Sequence, residues 1–282
     1  MRYIKSPLNY VGGKYKLLDQ IIPLFPKKIN SFVDLFAGGG DVFINATAEK
    51  FIVNDIIHPL INIFQDLSLS NTENVFSDIE ALIDKYSLSK VNQSGYYELR
   101  NDYNQEPTTI KLLSLIAFGF NHQIRYNSDH KFNNPFGKNR SSFNEKTKQN
   151  LQRFIEALKD KTIDFQTQDF RNFNYKILNP KDFVYCDPPY LITSGTYNDG
   201  RRGFTGWSLN EELELYKILD DINSQGVKFI LSNVLEAKGK RNDTLIEWSA
   251  KYDIIPLKMS YSNSNYQRKK NDMIKEVIIK NF

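Results

Sequence analysis

Ser31-Phe32-Val33-Asp34-Leu35-Phe36-Ala37-Gly38-Gly39-Gly40 is the stretch on which the fold turns. Its first half, Ser31–Phe36, reads as a buried strand running directly into three glycines. The next segment, Val42–Lys50, reads as a helix, and Phe51-Ile52-Val53 as a second short strand ending at Asn54-Asp55. Strand, glycine turn, helix, strand is the start of a parallel α/β sheet. Glycines at such a turn let the backbone bend sharply and approach a ligand closely. Asp55 falls about 20 residues beyond the turn, where a carboxylate can accept hydrogen bonds from both hydroxyls of a ribose. The dinucleotide pattern G-x-G-x-x-G is not met, because Val42 and Phe43 stand where its third glycine belongs. The turn therefore suits any nucleoside cofactor, or a tight bend with no ligand.

Upstream, Asn9-Tyr10-Val11-Gly12-Gly13-Lys14 precedes an apolar, helix-spaced segment, Tyr15–Pro26. Lys14 could pair with a ligand carboxylate, and Tyr10 offers an aromatic face to a nucleobase or a sulfonium. Downstream, the chain from about His58 to Asp160 is mostly helical and polar. Within it, Asn121–Phe143 is dense in Asn, Ser, Gly and aromatics, as in an exposed loop or hairpin. The α/β rhythm resumes with strands at Ile163–Thr167 and Asp182–Cys186, a helix at Glu211–Asn223, and strands at Lys228–Leu231 and Glu276–Lys280. The simplest architecture is a discontinuous α/β domain, 1–57 and 163–282, with a largely helical insertion at 58–162. Insertions at the carboxyl ends of parallel strands sit over the site where such sheets bind ligands.

Phe183-Val184-Tyr185-Cys186 runs into Asp187-Pro188-Pro189-Tyr190. Two consecutive prolines fix the backbone and remove two amide donors, so their carbonyls face a pocket with no N–H to occupy them. Asp187 and the Pro188 carbonyl can then accept both hydrogens of an exocyclic amine. An amine held this way is drawn toward tetrahedral geometry and exposes its lone pair, so positioning and electrostatics carry the catalysis. A carboxylate of pKa about 4 is too weak to deprotonate the neutral amine. Asp187 is therefore expected to accept a hydrogen bond and stabilise developing charge. Tyr190 is expected to stack on a base that has left the duplex.

The 282 residues carry a formal net charge of +4, which permits a polyanionic partner without requiring one. Basic residues gather at Lys131–Arg140, Lys238–Arg241 and Arg268–Lys270, all in polar, turn-rich segments. One cysteine, Cys186, cannot form an internal disulfide, which fits a reducing cytoplasm, and in an apolar strand it reads as packing. Three scattered histidines and that thiol offer no metal-ligand spacing, so no metal is expected. No run of about 18 apolar residues marks a membrane span. The first residues lack the apolar stretch of a signal peptide.

Taken together, these motifs resemble the Dam-type DNA adenine N6-methyltransferases, the D12 class, alpha group. Tyr10…Gly12-Gly13-Lys14 is similar to the family's N-terminal cofactor motif, Asp34–Gly40 to its glycine motif, Asn54-Asp55 to its ribose-binding acid, and Asp187–Tyr190 to its catalytic loop. The resemblance implies a Rossmann-like S-adenosylmethionine-dependent methyltransferase fold with an inserted, mostly helical DNA-recognition domain. It assigns the cofactor to Tyr10, Gly12, Lys14, Asp34, Phe36, Ala37, Gly38, Asp55, Asp169, Phe170 and Asp187, and catalysis to Asp187, Pro188, Pro189 and Tyr190. Phe120-Asn121…Arg125-Tyr126-Asn127 followed by Phe132-Asn133…Pro135-Phe136-Gly137 is similar to the family's DNA-reading hairpin. That likeness makes Asn121, Gln123, Arg125, Asn127, Asn133 and Lys138 DNA contacts, with Arg125 aimed at a guanine or at a phosphate. Arg268 and Lys270, beside Asn265, are expected on the DNA backbone. Leu231-Ser232-Asn233 resembles a motif behind the target base. Family members that read GATC usually carry Gly-Leu after the Phe-Asn, where this chain has His122-Gln123.

The implied activity is methyl transfer to N6 of a flipped adenine in double-stranded DNA, either beside a cognate restriction endonuclease or alone, as in an orphan or phage methylase. Methylation of cytosine N4, of RNA or of a protein glutamine is the first alternative. The cytosine and glutamine enzymes usually place Asn or Ser where Asp187 stands. A DNA-binding module that has lost its chemistry is the second, and every expected catalytic position here is filled. Oligomeric state is not legible.

Overall fold

The computed structural model describes residues 3–193, 207–258 and 274–282, and Asn265, Arg268 and Lys270 lie outside them. In chain order the elements are α1 (Leu18–Ile21), β1 (Ser31–Asp34), β2 (Lys50–Asn54), α2 (His58–Leu69), α3 (Thr72–Lys85), α4 (Gln93–Gln105), α5 (Thr109–Phe118), α6 (Glu145–Lys159), β3 (Ile163–Gln166), β4 (Phe183–Cys186), α7 (Leu209–Ser224), β5 (Lys228–Ala237), β6 (Lys240–Arg241), α8 (Asp243–Ser249), β7 (Asp253–Pro256) and β8 (Lys275–Lys280). The strands form one mixed, mostly parallel sheet in the order β3-β2-β1-β4-β5-β8-β7, with β6 paired to β5. Strands β1 to β5 run parallel, whereas β8 is antiparallel to both β5 and β7. The chain steps outward from β1 on both sides, so β1 and β4 form the switch point at which such sheets open a ligand crevice.

Alternation along the strands sorts the core into two layers. Phe32, Phe51, Val53, Phe183, Tyr185, Ile230 and Ile278 face one cluster, which also takes in α2 to α6. Val33, Leu35, Val184, Cys186, Phe229, Leu231, Val277 and Ile279 face the other, with Leu215, Leu219 and Ile222 of α7 and Leu245 of α8. The sheet is therefore buried on both faces, which is why its central strands carry unbroken apolar runs.

The helix expected over Val42–Lys50 is absent. Only a single 3-10 turn forms, Phe43–Asn45, before β2 begins at Lys50. The Asn45 side chain bonds both the amide and the carbonyl of Ile4, at 2.7 and 2.8 Å, and also the carbonyl of Asp41. An asparagine committed to backbone in this way competes with helix propagation. The turn is spent on anchoring the N-terminal segment.

The 58–160 region is helical as expected, but α2 and α6 lie directly on the sheet. Phe64 of α2 and Phe154 of α6 meet Phe43 at ring separations of 5.3 and 6.5 Å. The hairpin within it is short and irregular, closed by bridges Gly119↔Phe136 and Tyr126↔Phe132. It is pinned to α4. Asn104 exchanges two hydrogen bonds with the backbone of Phe132, and the Tyr103 and Tyr126 hydroxyls meet at 2.8 Å.

Candidate active site

One cleft gathers most of the expected residues. Its walls include Tyr10, Gly12, Lys14, Asp34, Phe36, Ala37, Gly38, Asp55, Asp169, Phe170, Asp187, Pro188, Pro189 and Tyr190. It encloses about 1140 Å³ of space, part of it open to solvent, and lies at the carboxyl ends of β1 and β4.

The glycine turn is built for close approach. Gly38 has φ +49°, and a Cβ there would meet the Tyr10 ring at 3.0 Å, while one on Gly39 would meet Tyr10 Cβ at 2.9 Å. Tyr10 is thus packed onto the glycine turn and roofs it. Across the turn, Asp55 accepts the Gly38 amide on one oxygen (2.8 Å) and the Ile57 amide on the other (2.9 Å). Each carboxylate oxygen keeps a further lone-pair direction for a ligand hydroxyl. Asn54 ties the floor together. Its amide donates to the carbonyls of Leu35 and Gln168, both at 3.0 Å.

Asp34 is the anomaly. It is 1% exposed, and neither carboxylate oxygen makes a well-formed hydrogen bond, although the Phe43 and Phe36 backbone N–H groups lie near enough to draw its carboxyl partly down. Burial first, then the nearby Asp187 and Asp55 charges, pushes its carboxyl well above the usual range. A buried carboxyl without a well-formed hydrogen bond has acceptor capacity left for a donor.

At the far wall Asp169 receives a two-pronged contact from Arg171, both bonds at 2.7 Å, and this partner holds its carboxyl below the usual range. Phe170 sits behind, 5.5 Å from Phe36 and 5.4 Å from Trp207. Trp207 was not singled out from the sequence. It lines the cleft because Glu212, fully buried at the start of α7, accepts its indole N–H at 2.5 Å.

The loop after β4 is held by charge. Lys14 Nζ lies 2.7 Å from Asp187 Oδ2 and 3.5 Å from Glu276 Oε1, and donates to the Gly12 carbonyl at 2.9 Å. Burial raises the Asp187 carboxyl, and the Lys14 ammonium draws it back down. The Tyr190 hydroxyl touches Asp187 Oδ1, Ser232 Oγ and Glu276 Oε1, each at 2.9 Å. Tyr190 is 7% exposed, with the Lys14 ammonium 5.1 Å from its ring centroid. From the sequence, Glu276 reads only as the start of the last strand, with no role in the site. It lies in a strand whose apolar partners hid its direction.

The hairpin residues stand apart from this cleft. Asn121, Arg125 and Lys138 are exposed, and Gln123, Asn127 and Asn133 are half-buried. The Asn127 side chain is engaged in its own turn, accepting from Asp129 and Lys131. Asn9 spans the gap to the cleft, donating to the Asn121 carbonyl at 2.6 Å. Among the described residues, no group of His, Cys, Asp and Glu could hold a metal ion, and no helix is long and apolar enough to cross a membrane.

The sequence profile of the D12 class N6 adenine-specific DNA methyltransferases matches residues 10–269. The chain is 49% identical over 280 residues to the type II methyltransferase M.FokI of Planomicrobium okeanokoites, covering 99% of this chain and 43% of that protein. It is 44% identical over 283 residues to the modification methylase StsI of Streptococcus sanguinis, covering 100% of this chain and 43% of that one. Similarity to the DNA adenine methylase of Escherichia coli (strain K12) is 28% over 280 residues, but it covers 96% of this chain and 94% of that enzyme. The chain thus spans less than half the length of the first two relatives and nearly all of the third.

Proposed function

The chain belongs to the D12 class N6 adenine-specific DNA methyltransferases, and from that premise we propose that it methylates N6 of an adenine extruded from duplex DNA, using S-adenosylmethionine. The observation that carries this reading is the convergence of Asp187-Pro188-Pro189-Tyr190 and the glycine turn on one cleft at the switch point of the sheet.

The residues present fit that cofactor. Asp55 has acceptor capacity left for ribose hydroxyls, and the Phe36, Phe170 and Trp207 rings offer an apolar wall to a nucleobase. Asp34, buried and without a well-formed hydrogen bond, supplies an acceptor for an ammonium group, and Lys14 is placed to meet a carboxylate. The two carboxyls that face Lys14, with Asp34 nearby, also favour a cation. S-adenosylmethionine would supply a methyl group made transferable by positive sulfur.

The chain's own contribution is positioning. Asp187 and the Pro188 carbonyl hold the two hydrogens of N6, and Asp187 stabilises the positive charge that grows there. Lys14 keeps the Asp187 carboxyl oriented, and Tyr190 supplies the ring against which the extruded adenine stacks.

We assign DNA recognition to 58–162, and within it to the hairpin around Arg125. The names of the relatives at 49% and 44% identity, a type II methyltransferase and a modification methylase, favour a role beside a restriction endonuclease. The test is to incubate the chain with methyl-labelled cofactor and duplex DNA, digest the product and identify the labelled base. Recovery of N6-methyladenine is expected; label in no adenine of any duplex defeats the reading.

A further inference from the structure

Three polar partners crowd the Tyr190 hydroxyl: Asp187 Oδ1, Glu276 Oε1 and Ser232 Oγ, each at 2.9 Å. A hydroxyl has one proton to give and two lone pairs to receive with. Ser232 can donate to it. An ionised carboxylate can only accept, so of Asp187 and Glu276 one alone can take the tyrosine proton. The other contact becomes a hydrogen bond only when that second carboxyl itself carries a proton. All three contacts are therefore satisfied together in one state, with a single proton on the Asp187–Glu276 pair.

Charge counting among the described residues agrees. There, two carboxylates, Asp187 and Glu276, face one ammonium, Lys14, so the ionised pair outnumbers its described counter-charge by one. Among the described residues, the other titratable groups that bear on it are Tyr185 and Cys186 of β4 and Asp34 of β1, and none brings a positive charge. Glu276 reaches the site from β8, paired with Val234 of β5, so it is fixed by the sheet and not by a loop.

We infer that Glu276 is the partner carboxyl of Asp187, and that the pair, bridged by the Tyr190 hydroxyl, takes up the proton that N6 must shed when it is methylated. This rests on the function proposed above. N6 gains a carbon and becomes cationic. One N–H bond breaks with its electron pair left on nitrogen, and an O–H bond forms on Asp187. The bridged pair then holds one proton more than before, which is the state its hydrogen bonds fit. An environment matched to the product of the proton step favours that step over the ground state. Glu276 touches no substrate and acts through Asp187 and Tyr190.

Two measurements test this. In the wild-type protein with carbon-13-labelled carboxyls, NMR titration should show Asp187 taking up its proton above the ordinary carboxylate range, and Glu276→Gln should move that step to lower pH. Titration of Asp187 in the ordinary range overturns the inference, as does an Asp187 step that Glu276→Gln leaves unmoved. Second, Glu276→Gln keeps a donor for the tyrosine oxygen but cannot take a proton. It should slow single-turnover methylation by about tenfold or more and move the acid limb of the rate profile to lower pH, with cofactor and DNA affinities within about twofold. An unmoved acid limb overturns it, whatever the rate. A wild-type chain that methylates no DNA condemns the proposed function, whereas an active wild type with an unmoved limb in the variant condemns only the role of Glu276.

Discussion

Lys14 Nζ stands 2.7 Å from Asp187 Oδ2, so the N-terminal loop supplies the counter-charge for the loop that ends β4. Neither side chain is more than 17% exposed, and solvent does little to screen the pair. Removing one partner of such a pair leaves a buried charge alone, at a cost of about 3–5 kcal/mol. Lys14→Met should lower stability on that scale in chemical denaturation. It should also reduce methylation by two orders of magnitude or more. Because Lys14 holds the Asp187 carboxyl down, whatever activity survives should have its acid limb at higher pH.

Asp41, at the mouth of the cleft, gives a stability prediction with a defined sign. Burial lifts its carboxyl from 3.8 to about 6. A raised folded-state pKa means the contribution to stability is fully present below 3.8 and is lost as the pH rises through about 6. Asp41→Asn carries no such penalty and still presents an oxygen to the Ser6 amide. The stability difference between variant and wild type should grow in the variant's favour from pH 4 to pH 7, by up to about 3 kcal/mol, and level off above. Melting curves across that range measure it, and a flat difference would contradict it.

Gly38→Ala forces a side chain into a left-handed conformation and against the Tyr10 ring at 3.0 Å. The backbone term alone costs roughly 1–2 kcal/mol. Displacing Tyr10 should weaken cofactor binding by about tenfold or more, read by calorimetry, while duplex affinity measured without cofactor stays close to wild type.

Arg125 is exposed on the hairpin beside the anchored Tyr126. Arg125→Ala should lose roughly 1–3 kcal/mol of affinity for the methylated site and relax preference at one base pair. A uniform loss across sequences, with a shallower salt dependence, would reassign the arginine to a phosphate.

The glycine turn, Asp55 and the proline loop were legible because each depends on residues adjacent in sequence: a strand end, a bend, a fixed backbone. What could not be read are contacts made by topology. Glu276 looks like a charge ending an apolar strand, and only the insertion of β8 beside β5 turns it toward Tyr190. Trp207 reaches the cleft through a buried carboxylate five residues on. The Val42–Lys50 segment had helical spacing, but Asn45 spends its hydrogen bonds on Ile4, a partner far away in sequence. Tyr190 was expected as an open stacking platform. Its hydroxyl is also the junction of the charged cluster, a second duty that the tetrapeptide alone does not disclose.

The shared apolar layer beneath α2 and α6 bears on how specificity could be transplanted. Phe64 and Phe154 interlock with Phe43 inside the cluster that also buries Phe51 and Val53 of the sheet. A chimaera exchanging all of 58–162 would sever that interlock and ask two unrelated surfaces to mate. The hairpin is joined differently, through Asn104, Tyr103 and the main chain of Phe132. If the hairpin carries the recognition proposed for it, grafting 120–136 onto these polar sockets is the smaller cut, and it leaves the recipient's cleft on its own foundation.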